Sequence, residues 1–228
     1  MSVYIDVWHR VHPLEPAAHT RFLDYYATHV VAPPSDFFEV VAGFRYTDGG
    51  TNEDFALYRY ASMAAIEESM RSFGADPAFV QATETLFADI EIEETRAIAL
   101  HLPSERAESP ETSMDALIAE SPAPDEPARR FLRSVRICSA SDRPRVFEAL
   151  AERQAQIESA GRARLVAGFH YVVGPVMDLV EIWLLPDPTV EWAESALGVA
   201  PDLAAELAAL APERERRGIA PTGFSKLR

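Results

Sequence analysis

The side chains able to do chemistry gather on a few strand-like stretches. His170 in "GFHY" and Glu181 in "LVEIW" stand on the two arms of one hairpin pattern. As neighbours they would act as general base and orienting carboxylate. Arg45 and Arg59, on the corresponding hairpin of the first half, would hold a developing enolate or phenolate. Tyr4, Trp8 and Trp183 would stack on a flat substrate, with Asp6 and Arg136 beside them. The competing use of these residues is a set of buried ion pairs that hold the fold together. Metal chemistry is poorly served. His9 and His12 are three apart at a strand end, and no HExxH or cysteine-pair spacing occurs. No glycine-rich phosphate loop is present either, so neither a metal nor a cofactor is expected. Asp54 and Asp178 read as turn residues, His19 and His29 as exposed helix positions, and "EIEETR" as a solvated helix end.

The bulk composition narrows the classes. The formal net charge is −15, which repels phosphate backbones and argues against nucleic acid. No apolar run approaches the roughly 20 residues of a membrane span. The N-terminal "MSVYIDVWHRV" has no signal-peptide pattern, so a cytoplasmic protein is expected. Cys138, the single cysteine, excludes an intrachain disulfide and reads as a buried thiol. Lys226 is the single lysine, too near the end to form a Schiff base in a core site.

The elements that must position these residues come in two similar sets. "VVAGFRY" at 40–46 returns as "LVAGFHY" at 165–171, an offset of 125. "SFGADPAF" faces "ALGVAPDL", with Gly74 and Gly198, Pro77 and Pro201, and Asp54 and Asp178 each 124 apart. One residue is therefore expected to be lost in the hairpin turn, and the chain reads as a tandem duplication. Each half reads as βαββαβ, the ferredoxin-like order, in an α+β protein. The expected divisions are a first module at 1–103, a Pro/Ser/Glu-rich linker at 104–129, where "MDALIA" allows one helical turn, and a second module at 130–228.

Strand alternation then divides the faces. Val3, Ile5 and Val7 belong against helices, leaving Tyr4, Asp6 and Trp8 on the other side. Val180, Ile182 and Leu184 are likewise given to the helices, leaving Glu181 and Trp183 opposite, with Leu57 and Arg59 as their first-half counterparts. Arg45, Arg136 and His170 are expected on that second face too. Pressing two such faces together would make a barrel able to hold a small ligand.

The stretch "GFRYTDGGTNEDFALYRYASMAAIEESMRSFGADPAFV" carries a resemblance to a known family. It has a Gly-aromatic strand, a polar turn, an apolar strand ending in Arg59-Tyr60, a Ser-capped helix and Asp76-Pro77. In these features it resembles the NIPSNAP-like family of the dimeric α/β-barrel superfamily. The second half matches in layout, with Trp183-Leu184 in place of the Arg-Tyr pair. The resemblance implies a dimeric-α/β-barrel-type pseudo-dimer made of two fused modules. Families of this superfamily include cofactor-free monooxygenases, polyketide cyclases, muconolactone isomerases and haem enzymes. Fold does not choose among them.

Two functional expectations from different classes follow. One is an enzyme performing cofactor-free proton transfer or oxygenation (cyclase, isomerase, lyase or monooxygenase) on an apolar or aromatic, polyketide-like molecule. The other is a non-catalytic binding or assembly protein whose barrel its own side chains fill. A haem protein resembling the chlorite-dismutase-like group is a further alternative, with His170 as the single histidine available to the second module. Pairing of two copies as a homodimer stays open.

Overall fold

The computed structural model describes residues 2–33, 35–48, 52–102, 110–122, 129–186 and 191–228. The chain divides into two units, Met1–Ala99 with Pro221–Leu227, and Leu100–Ala220 with Arg228. Among the described residues no helix is long and apolar enough to cross a membrane.

Unit 1 runs β1 (Val3–His12), α1 (Pro16–Tyr25), a π-helix (Tyr26–Val31), β2 (Phe38–Tyr46), β3 (Glu53–Tyr60), α2 (Met63–Ala75), α3 (Pro77–Phe87) and β4 (Glu91–His101). Its strands pair antiparallel in the order β4-β1-β3-β2. Alternation along β1 sends Ile5, Val7 and Val11 into a cluster with Phe22, Tyr26, Val30 and Tyr58. Tyr4 and Asp6 are buried on the opposite face, as expected. The helix starts follow capping chemistry. Ser62 Oγ accepts the Ala65 N–H at 3.2 Å, and Asp76 Oδ1 accepts the Ala78 N–H at 2.9 Å with Pro77 in the first turn.

The π-helix changes which residues of the first helix face inward. Its wider turn is closed by the Ala32 N–H donating to the Ala27 carbonyl at 2.9 Å, five residues back. Ala18, Phe22, Tyr26 and Val30 consequently share the buried face. Regular α spacing through "PAAHTRFLDYYATHVV" would set Tyr25 in line with Ala18 and Phe22 instead. "EIEETR" is also corrected: it lies in β4, where Ile92, Glu94 and Arg96 face the same way as Val11, His9 and Val7 across the ladder.

The C-terminal segment completes unit 1. The Thr222 N–H donates to the Gly43 carbonyl at 2.9 Å, and the Phe224 ring lies 5.3 Å from Tyr26. Gly43 permits this approach, since a Cβ there would fall 2.2 Å from the Phe224 ring.

Unit 2 holds α4 (Pro110–Ala119), β5 (Arg130–Ile137), α5 (Arg143–Ser159), β6 (Arg164–Val173), β7 (Asp178–Leu185), α6 (Pro201–Leu210) and β8 (Glu213–Pro221). Its strand order is β8-β5-β7-β6, again antiparallel. Part of the stretch expected to be linker is the helix α4, with Met114 and Leu117 buried. Residues 104–109 and 123–128 of that stretch lie outside the described residues. The last strand begins at Glu213, and Pro221 ends it.

The ladders correct the internal register. Gly43 pairs with Ala56 and Gly168 with Glu181, so the 125-residue offset persists through both arms of each hairpin. The bulges, at Val40/Ala42 and Leu165/Ala167, keep it as well. The residue is therefore lost after β7 and not in the hairpin turn. Ala56 and Tyr58, not Leu57 and Arg59, match Glu181 and Trp183. A one-residue slip exchanges the two faces of a strand. Glu181 and Trp183 accordingly point toward α5, where Trp183 packs with Val146, Leu150 and Ile157. Arg136 and His170, both opposite Leu179, share that face. Arg45, opposite Asp54, likewise stands on the helix-side face of unit 1.

Gly43→Ala should lower unfolding free energy by about 1–3 kcal/mol, the usual cost of overpacking. Denaturant titration should show a smaller loss for the same change in a Phe224→Ala background.

Candidate functional site

Unit 1 contains a cavity of about 340 Å³ between its sheet and its helices. Its wall is mainly aromatic, with Phe22, Tyr26, Tyr58, Phe73 and Phe79 among the lining residues. Three polar side chains from the adjacent strands β1 and β4 break this apolar surface: His9, Glu94 and Arg96.

These three belong to one chain of polar contacts. His9 Nδ1 meets Asp54 Oδ1 at 2.9 Å, across the β1–β3 pairing that sets the two residues opposite each other. His9 Nε2 lies 3.5 Å from Glu94 Oε2, its cross-strand neighbour on β4. Arg96 Nε donates to Glu94 Oε1 at 2.5 Å. At the other end, His19 Nε2 meets Asp54 Oδ2 at 2.8 Å. The His9 ring is clamped edge-on by Phe22 at 4.9 Å and Tyr26 at 5.4 Å.

Burial and charge oppose each other at this cluster. Burial alone would lower the His9 pKa, but Asp54 and Glu94 outweigh it and raise it to about 9. Glu94 moves the other way: burial would raise its pKa, and His9 and Arg96 pull it down to about 2. At neutral pH His9 is therefore an imidazolium and Glu94 a carboxylate. Neither is poised as a general base. Arg96 stays cationic, because Glu94, Tyr58 and Tyr60 outweigh its desolvation. Burial, then Tyr60, raises the Tyr58 pKa, so that phenol stays protonated. The Tyr26 hydroxyl is buried at the same wall and makes no hydrogen bond among the described residues. The arrangement suits stabilisation of an anion formed on a bound apolar molecule.

The residues expected from the sequence are distributed differently. Tyr4 and Asp6 are buried on the sheet face away from the helices, and Arg10 stacks over Trp8 at 5.2 Å. Arg59 Nε donates to Glu39 Oε2 at 3.0 Å, and Lys226 reaches Glu39 Oε1 at 2.7 Å. Arg45 is exposed. In unit 2, Glu181 meets Arg153 at 3.2 Å and Arg136 at 3.8 Å. Glu194 bridges the same two arginines, at 2.9 Å to Arg136 and 2.8 Å to Arg153. The Arg153 guanidinium also stacks over Trp183 at 5.3 Å and Trp192 at 5.6 Å. These contacts fill the layer between sheet and α5. His170 makes no hydrogen bond to Glu181, so the expected base–carboxylate pair does not form. Its ring packs 5.5 Å from Phe147, and burial with nearby Arg143 lowers its pKa.

Sequence reasoning passed over the unit 1 cluster. Local spacing pairs His9 with His12, sets Asp54 beside a turn and puts His19 on a helix surface, so it does not bring the three together. Period-2 alternation through "VYIDVWHRVH" placed His9 on the face of Ile5 and Val7, and that was the available signal. Among the described residues no three His, Cys, Asp or Glu side chains converge to hold a metal.

No family model matches the chain, and no curated protein does. Solved structures do match. An anthrone oxidase-like protein is similar at TM-score 0.60 and 11% identity, covering 96% of this chain and 91% of that one. A provisionally assigned monooxygenase from Lactobacillus acidophilus NCFM is similar at TM-score 0.54 and 8% identity, covering 97% and 94%. A provisionally assigned chlorite dismutase is similar at TM-score 0.50 and 11% identity, covering 100% and 98%. At such identities the likeness is one of fold alone, that of the dimeric α/β-barrel class.

The electrostatics predict a pH profile. The raised His9 pKa contributes stability that is fully present below the unfolded value of 6.5 and lost as pH rises through about 9. Its size is on the order of 3 kcal/mol at about 1.4 kcal/mol per unit. Unfolding free energy measured between pH 6 and 10 should fall accordingly, and His9→Gln should remove that part of the slope. In unit 2, Arg153→Met should destabilise by about 3–5 kcal/mol, because Glu181 is left buried with less compensation.

Proposed function

We propose that unit 1 is the catalytic half of a small-molecule enzyme that binds a flat apolar or aromatic substrate and stabilises its enolate or phenolate. The single observation that carries this reading is the roughly 340 Å³ aromatic cavity whose lining includes the buried His9 together with the exposed pair Glu94 and Arg96. Its volume lies within the range of small-molecule sites. The aromatic wall stacks on the substrate, and Arg96 faces the developing oxyanion. His9 is a positioning residue, since both ring nitrogens face carboxylates; it holds Glu94, which in turn holds Arg96. The Tyr26 hydroxyl donates a hydrogen bond to the substrate oxygen and keeps its proton. A substrate anion stabilised in this way is ready for isomerisation, cyclisation or reaction with dioxygen. The neighbours named as monooxygenases and anthrone oxidase-like favour the last on fold analogy alone.

The duplication belongs to the same proposal. The shared strand order, matching bulges and persistent offset support two fused ferredoxin-like modules; their NIPSNAP-like character rests on the sequence resemblance alone. In unit 2 the filled ion-pair layer supports the structural reading of Glu181, Arg136 and Trp183. Haem is poorly served by the residues present. His170 packs on Phe147 beside a layer occupied by Arg153 and two tryptophans, and both His9 nitrogens are engaged.

2-Naphthol tests the reading, since its anion absorbs at longer wavelength than the phenol. The bound molecule should ionise at least about one pH unit lower than in water, and Arg96→Met should abolish that shift. Failure to bind, or an unchanged or raised pKa on binding, would refute the assignment.

A further inference from the structure

Two consecutive tyrosines, Tyr25 at the end of α1 and Tyr26 at the start of the π-helix, both line the aromatic cavity. Their hydroxyls differ in what they still offer. That of Tyr26 makes no hydrogen bond among the described residues, so its proton is uncommitted. That of Tyr25 lies 2.6 Å from Thr83 Oγ1, which belongs to another lining residue, on α3.

The direction of this contact follows from counting protons. A threonine hydroxyl carries one, and Thr83 donates it to the Phe79 carbonyl, one turn back on α3, at 2.8 Å. The contact with Tyr25 therefore uses the phenolic proton, and Thr83 accepts it. Burial raises the Tyr25 pKa against a smaller opposing effect of Thr83, so the phenol keeps that proton at neutral pH. With its one proton committed, the Tyr25 oxygen has only lone pairs left to offer. It accepts no hydrogen bond among the described residues. Tyr25 and Thr83 stand on the helix side of the cavity, whereas Arg96 belongs to the sheet side. A ligand oxygen without a proton would meet the Tyr25 oxygen lone pair to lone pair. A ligand hydroxyl would complete the chain that runs through Thr83 to the Phe79 carbonyl. A site with a committed polarity rejects the analogue that lacks the matching group.

We infer that Tyr25 is a specificity-determining residue, an acceptor that selects aromatic ligands bearing a second, un-ionised hydroxyl, and that Thr83 sets its polarity. This rests on the proposed reading of the cavity. It adds a substituent that the ligand carries besides the oxygen that ionises.

Calorimetry with 2,6- and 2,7-naphthalenediol and their monomethyl ethers tests it. At least one diol should bind about threefold or more tightly than its own ether, the size of one neutral hydrogen bond. Thr83→Val frees the Tyr25 proton, so the ether should gain affinity and the ratio should fall to about one. Tyr25→Phe should reach the same ratio by the opposite route, by weakening the diol. Thr85→Val removes a hydroxyl from the exposed side of α3, where Thr85 donates to the Gln81 carbonyl, and should keep the wild-type ratio. Each ratio is taken within one variant, so a general loss of affinity cancels. Thr83→Val, close to the native shape, decides alone if Tyr25→Phe does not fold. Diols no tighter than their ethers in both pairs would overturn the inference, and the reading of the cavity would stand if 2-naphthol still bound with a lowered pKa. A preference that survives Thr83→Val would also overturn it, since substituent size alone gives that result. If neither 2-naphthol nor a diol binds, the reading of the cavity fails and this one with it.

Discussion

The buried contact between His9 and Asp54 is the constraint on which the rest of unit 1 depends. Two ionised groups stand inside an aromatic layer, and neither is tolerable there alone. Asp54 is satisfied by two imidazoles, His9 by two carboxylates, and Glu94 by His9 and Arg96. Each link relieves the desolvation of its neighbour. The row of alternating charge therefore holds β1, β3, β4 and α1 in one register. It also delivers a cation, Arg96, to the lining of a largely apolar cavity.

Unit 2 solves the same geometric problem differently. The space beside its sheet is occupied by Arg153, held by Glu181 and Glu194 and stacked on Trp183 and Trp192. Such networks contribute little net stability but penalise any state that breaks them. Strand order is common to the two units, and yet one layer holds an aromatic cavity and the other holds Arg153 with its two glutamates and two indoles. The difference lies in side chains, which is why fold likeness to proteins of several activities leaves the chemistry undecided.

Much of the strand and helix order was legible, because alternation, caps and proline positions are local signals. Ser62, Asp76 and Pro77 stand where their chemistry indicated. What failed were two one-residue questions. The hairpin offset, inferred from the matched aspartates Asp54 and Asp178, was 124 when the ladder keeps 125, and that slip inverted the faces of Glu181 and Trp183. The π-helix sets Tyr26 and Val30, and not Tyr25, in line with Ala18 and Phe22 on the buried face. Neither error was visible in composition, since both faces of these strands are largely buried and apolar. Arg153 escaped notice for a related reason. It occupies a core-facing position on α5, between Leu150 and Ile157, where a hydrophobic pattern admits no charge.

The π-helix has a consequence for how such a chain can vary. A widened turn differs from an α-helical one by a single residue. Loss of one codon within 26–31 would restore ordinary winding and rotate the following positions by about a quarter-turn or more, while every strand kept its ladder. Tyr26 and Val30 line the cavity from this turn. Ligand preference in chains of this architecture can therefore drift by insertion and deletion in one helical turn, a route that leaves the sheet and its buried charges untouched.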